Sequence, residues 1–144
     1  MTKIKISFEV TDVWDRDEFR RLIKLILFDP VSVCEGSESD FELYIISNDD
    51  STPYIQSVGA ILGLDSAHII VTNFRQDKVD AIEDNGIDIH FDSDQLTIAM
   101  IEALDTQGVL VRSILDGFNV RMKYITEFYN ILKNVISERE EPEC

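Results

Sequence analysis

The sequence predicts a three-layer α/β domain in which a five-stranded, mostly parallel sheet is covered by helices on both faces. Two observations carry that prediction. Strand-like and helix-like patterns alternate along the whole chain, as repeated βα units require. Several of the strand-like runs, such as Leu43-Tyr44-Ile45-Ile46 and Ile69-Ile70-Val71, are apolar throughout, which suits strands buried on both faces. The chain has 144 residues, 44% of them hydrophobic, with six glycines and three prolines, enough for one core without covalent staples. A single domain is expected over residues 1–137, followed by an acidic tail at 138–144.

Residues 3–10 alternate charged and apolar side chains and make the first strand. Asp15 or Asp17 can cap a helix that puts Phe19, Leu22, Ile23, Ile26 and Leu27 on one face, until Pro30 stops it. A polar connector at 35–40 leads to a second strand at 41–47. Ser51 or Thr52 before Pro53 signals a helix start, because proline at the first helical position loses no hydrogen bond. Tyr54, Ile55, Val58, Ile61 and Leu62 form the expected buried face, closed by Gly63.

The third strand is expected at 68–72. A short helix follows at 77–84, with Gly86 in the left-handed position after it. The fourth strand is expected at 87–91, and the next helix carries Leu96, Ile98, Ala99, Ile101, Glu102 and Leu104. A short fifth strand is expected at 108–112 and a long amphipathic helix at 120–135.

The charge narrows the function. With 28 acidic and 13 basic residues the net charge is −15, a field that repels nucleic-acid backbones and anionic membranes. No run approaches the ~20 apolar residues of a membrane span, and the first ten residues read as a strand and not as a leader, so a cytoplasmic protein is expected. Cys34 and Cys144 have neither paired spacing nor neighbouring histidines, which argues against a disulfide framework or a zinc site. No glycine-rich phosphate loop is present.

The chemistry-bearing residues fall at strand ends. Glu9, Thr11 and Asp12 follow the first strand, Ser47 and Asn48 end the second, Lys78 opens the helix before the fourth, and Asp92 and Asp94 follow the fourth. Ligands of open parallel sheets bind at the carboxyl ends of strands where the strand order reverses. If the first strand lies between the second and the fourth, these side chains converge on one crevice. Each has a plainer reading as well: Ser47 as a turn former, Lys78 as a solvated lysine, Asp92 and Asp94 as helix caps. His90 and His68 read as satisfied structural histidines, neither with a Ser or Cys partner at triad spacing, and Trp14 as a structural aromatic.

In this order the residues resemble the haloacid dehalogenase superfamily of phosphohydrolases, over about residues 3–112. The resemblance implies a Rossmann-like fold and Mg²⁺-dependent hydrolysis of a phosphomonoester. It makes Ser47, with Asn48, the phosphate-binding group, Lys78 the ammonium that steadies nucleophile and phosphate, and Glu9, Asp92 and Asp94 the metal ligands. It places Glu9 at the nucleophile and Thr11 at the acid/base position, where the family has aspartates.

Both departures are costly. Glutamate reaches one methylene further, and a misplacement near 1 Å can cost ~10²-fold in an in-line attack. Threonine cannot shuttle a proton at neutral pH, a loss worth ~10²–10⁴-fold. Two readings follow: a phosphatase-like hydrolase working with an altered first motif, in which a bulge at 10–11 would bring Asp12 into the crevice, and an inactive binding or interaction module. The stretches between Glu9 and Ser47 and between Ser47 and Lys78 are too short for a folded cap. An open crevice, a bulky phosphorylated substrate, a protein partner or closure by a homo-oligomer is therefore expected. A receiver domain is disfavoured, because Ile70-Val71-Thr72 ends in no aspartate.

Overall fold

The computed structural model describes residues 4–28, 41–48 and 51–111. Five strands form one parallel sheet: β1 (Ile4–Phe8), β2 (Phe41–Asn48), β3 (Ile69–Thr72), β4 (Ile89–Asp92) and β5 (Gln107–Leu110), in the order β3-β2-β1-β4-β5. The chain steps outward from β1 to β2 to β3, then crosses back to lay β4 on the other side of β1. The strand order therefore reverses beside β1, which is the switch point the sequence reading requires. The expected α/β class and five-stranded Rossmann-like sheet are what the structure has.

Among the described residues four helices connect the strands, α1 (Asp17–Phe28), α2 (Thr52–Ile61), α3 (Arg75–Asp84) and α4 (Gln95–Ile101), with a 3₁₀ turn at Ser66–His68 capped by Asp65. The described residues fall into two compact units. One takes in residues 5–15 and 43–111, and holds nearly all of the sheet with α2, α3 and α4. Within it, Tyr44 and Ile46 of β2 pack with Val79 and Ile82 of α3 and Ile98 and Ile101 of α4. The opposite face of β2 and β3 carries Ile45 and Ile69 against α2, where a Cβ on Gly59 would run into the Ile69 side chain. Alternation along the strands thus sends one set of side chains to α3 and α4 and the other to α2.

The other unit includes Ile4, α1 and the first two residues of β2. In α1, Phe19, Leu22 and Ile23 are buried at helical spacing, as expected. The helix at 120–135, the tail at 138–144, both cysteines and the polar connector at 35–40 lie outside the described residues.

Turn chemistry follows the sequence closely. Gly63 (φ +70°) and Gly86 (φ +62°) adopt the left-handed conformation that ends α2 and α3. Two expected faces differ. In α2, Ile55 and Val58 are buried, yet Tyr54 and Ile61 are exposed. The small Gly59 lets the helix approach the sheet along the 55–58–59 stripe, and Tyr54 and Ile61 lie roughly 100° round the helix from it. In α4 the buried stripe is Thr97, Ile98 and Ile101, which leaves Leu96 exposed.

Candidate functional site

β1 and β4 carry the same pattern side by side: Ile6-Ser7-Phe8-Glu9 and Ile89-His90-Phe91-Asp92, apolar and polar residues in alternation. Their parallel register sets Ser7 opposite His90 and Phe8 opposite Phe91, and the Glu9 N–H continues the ladder onto the Phe91 carbonyl at 2.9 Å. The polar set therefore lines one face at the carboxyl ends of the two central strands. Lys78, in the first turn of α3, reaches into it. Ser7, Glu9, Ser47, Lys78, His90 and Asp92 are all buried.

Lys78 joins the two carboxylates. Its Nζ lies 3.0 Å from Glu9 Oε1 and 2.8 Å from Asp92 Oδ2. Burial disfavours the ammonium, but the Asp92 and Glu9 charges outweigh it and hold the Lys78 pKa above the ordinary lysine value. Burial also opposes the Asp92 charge; the His90 hydrogen bond and the Lys78 ammonium overcome that and lower its pKa. For His90 burial dominates, and its pKa is lowered despite the carboxylate beside it. A neutral ring fits its two contacts: Nε2–H donates to Asp92 Oδ2 at 2.9 Å, and Nδ1 accepts from the Ser7 hydroxyl at 2.7 Å.

Glu9 is the most heavily engaged group. Oε1 accepts from Lys78 Nζ at 3.0 Å and from the Asn48 N–H at 3.0 Å. Oε2 accepts from the Ser47 hydroxyl and from the Thr11 N–H at 3.4 Å. The Ser47 oxygen in turn accepts from the Val10 N–H at 3.3 Å. A carboxylate offers about four acceptor sites, so the Glu9 head group is saturated. The Asn48 side chain faces elsewhere and accepts from the Thr72 hydroxyl at 2.7 Å.

The structure thus brings Glu9, Ser47, Asn48, Lys78 and Asp92 together, with Thr11 present through its backbone N–H. Asp94 serves another purpose. Its Oδ2 accepts from Arg75 Nε at 2.6 Å and from the Thr97 hydroxyl at 2.7 Å, and Oδ1 caps the N-terminus of α4 through the Leu96 N–H. Although burial works against the charge, the Arg75 and Thr97 bonds push its pKa down to about 2.

Asp12 sits in a turn in which the Val13 and Trp14 N–H groups both reach back to the Val10 carbonyl. Its φ is +59° and its side chain is exposed, and since β1 ends at Phe8 there is no strand at 10–11 to bulge. Trp14 stacks on Phe8 with ring centroids 5.9 Å apart.

A divalent cation does not fit this arrangement. Mg²⁺ needs carboxylate oxygens with free lone pairs in near-octahedral geometry. The Glu9 oxygens are already taken, and the Lys78 ammonium lies where a cation bridging Glu9 and Asp92 would sit. Among the described residues no group of three or more His, Cys, Asp or Glu side chains is placed to hold a metal ion.

Sequence spacing missed one partnership. His90 has a serine partner, Ser7, supplied by the neighbouring strand and not by sequence proximity. The signal was the matching apolar–polar alternation of the two strands, which becomes a pairing once their register is known. Ser7, His90 and Asp92 form a hydrogen-bonded string, but Ser7 is fully enclosed within the sheet, so the string satisfies buried polar groups and cannot present a nucleophile to a substrate.

No protein-family model matches the chain, and a comparison with curated proteins finds no match either. Among the described residues no helix is long and apolar enough to cross a membrane.

Proposed function

We propose that this chain is a non-hydrolysing relative of the haloacid dehalogenase phosphohydrolases, a binding or interaction module in which the phosphate-handling residues serve as an internal structural cluster. The observation that carries this reading is the state of Glu9: buried, with both carboxylate oxygens occupied by donors from three parts of the chain. A nucleophilic carboxylate must present a free oxygen to phosphorus at the moment of attack. This one faces an ammonium, a hydroxyl and two backbone N–H groups. Thr11 adds no acid or base, and Asp94 is committed to Arg75 and to capping α4. The partner is then a macromolecule met at the surface, and Mg²⁺ is not required.

A second reading keeps the protein as an Mg²⁺-dependent phosphomonoester hydrolase. Its support is that Ser47, the Asn48 N–H and Lys78 converge on one point, as phosphate-binding groups must. The two readings part on one assay, hydrolysis of a generic phosphomonoester with Mg²⁺. The proposal expects no turnover by the native protein. Native turnover abolished by Asp92→Asn would establish the hydrolase.

A further inference from the structure

We infer that α2 is a self-association face, through which two copies of this chain pair about a two-fold axis. The inference does not depend on the state of Glu9 and adds a contact surface to the proposed function.

Charge marks the region. The chain carries 28 acidic and 13 basic residues, yet Asp65 is the only one of them within residues 51–74. That stretch supplies α2, the 3₁₀ turn and β3. Asp65 itself is engaged in capping the turn, where it accepts from the Ala67 and His68 N–H groups at 3.1 and 3.2 Å.

α2 has an apolar stripe besides the one it turns to the sheet. Ile55, Val58 and Gly59 are buried. Tyr54, 50% exposed, and Ile61, 72% exposed, lie two turns apart along one side of the helix. Ser57 stands between them, three residues after Tyr54 and four before Ile61, and its hydroxyl donates to the Pro53 carbonyl at 2.9 Å. Covering Ser57 therefore leaves no donor unmet. Among the described residues the other large exposed apolar side chains, Phe74 and Leu96, have charged neighbours: Phe74 adjoins Arg75, and Leu96 is two residues from Asp94.

The stripe is complementary to itself. An antiparallel second α2, with the two-fold axis beside Ser57, sets Tyr54 of each copy against Ile61 of the other, and the small Ser57 lets the helices approach closely. An aromatic and an aliphatic anchor without charge is the composition of an interface centre. Charge also selects the occupant. Two copies at −15 each repel wherever their acidic faces meet, so they can approach only through a surface that lacks charge. A basic partner is drawn to those acidic faces and finds nothing to pair with on α2. A second copy matches the uncharged face by symmetry. A helix of ten residues buries little area, so the pairing is weak, with a Kd of roughly 10–100 µM.

The test is sedimentation of the full chain across about 1–500 µM, at low and at high sodium chloride. The expected result is a monomer–dimer equilibrium that tightens severalfold as salt screens the repulsion between the copies. Ile61→Glu should stay monomeric with the urea midpoint of the native protein, and Tyr54→Glu gives the same reading should Ile61→Glu not fold. Leu96→Ser, which removes an exposed apolar side chain from another helix, should leave the equilibrium unchanged. A native protein that is monomeric throughout overturns the inference and leaves the face to a different protein. A dimer that persists in the folded Glu variants, that loosens with salt, or that Leu96→Ser disrupts as strongly also overturns it. The proposed function fails separately, by native phosphatase turnover.

Discussion

α3 holds two cations three residues apart, and they lead different lives. Arg75 pairs with Asp94 at the rim, its Nε 2.6 Å from Oδ2, with the two side chains 41% and 36% exposed. Lys78 pairs with Glu9 and Asp92 at 3.0 and 2.8 Å, with all three side chains at 6% exposure or less. The chemistry is the same and the distances similar. The difference is the solvent, which screens the first pair and is absent from the second. At the rim a pair can be broken and water takes over; in the buried cluster a missing partner leaves a charge with nowhere to go. Charge pairs at the carboxyl end of this sheet therefore divide into a replaceable one and one on which the packing of β1, β2, β4 and α3 depends.

Breaking the buried pair should have the largest effect. Lys78→Met keeps the volume of the side chain but leaves the Glu9 and Asp92 carboxylates uncompensated, and should destabilise the fold by about 3–5 kcal/mol in urea unfolding. A loss below ~1 kcal/mol would mean that water reaches the cluster and that the contrast with Arg75 is false.

An intermediate effect is expected from acid. His90 has a folded-state pKa below its unfolded value of 6.5, so the unfolded chain binds the extra proton. Its contribution to stability is complete above about pH 6.5 and is lost as the pH falls from there towards the folded-state value. The slope is at most about 1.4 kcal/mol per pH unit. Asp92, also lowered, extends the loss below the ordinary aspartate value of 3.8. Lys78, raised, acts in the other direction, its contribution being complete below 10.5 and lost only at higher pH. Urea midpoints measured across pH should thus fall on the acid side from near 6.5, and His90→Gln should flatten that first limb.

The smallest effect is expected at the rim. Arg75→Ala should cost about 0.2–1 kcal/mol, and less at high salt.

The same division explains what could be read from sequence. The succession of strands and helices along the chain and the placing of Ser47, Lys78 and Asp92 at strand or helix ends were legible, because apolar runs mark buried strands and polar residues at their ends stand out against them; the lateral order, with β1 between β2 and β4, was only a condition. The closing glycines Gly63 and Gly86 were legible for a similar reason, as only their backbone freedom suits those turns. What was not legible depends on lateral register. Ser7 meets His90 only because β1 and β4 pair with those two residues opposite each other.

The position of the Glu9 head group depends on where backbone N–H groups fall, which no side-chain pattern records. Asp94 illustrates a further limit: a carboxylate after a strand can end as a metal ligand or as a helix cap, and the choice rests on the Arg75 and Thr97 groups that fold next to it. Tyr54 and Ile61 were misread because the approach allowed by Gly59 narrows the buried stripe of α2.

The most direct test of the closed Lys78–Glu9–Asp92 cluster is the side-chain ammonium resonance of Lys78 in ¹⁵N-labelled native protein, recorded with and without millimolar phosphate. The account predicts a signal protected from exchange with water, assignable by its loss in Lys78→Met, whose position phosphate does not change. A signal broadened by water exchange, or one that shifts saturably with phosphate while Glu9 is intact, would show an open cluster and contradict the account.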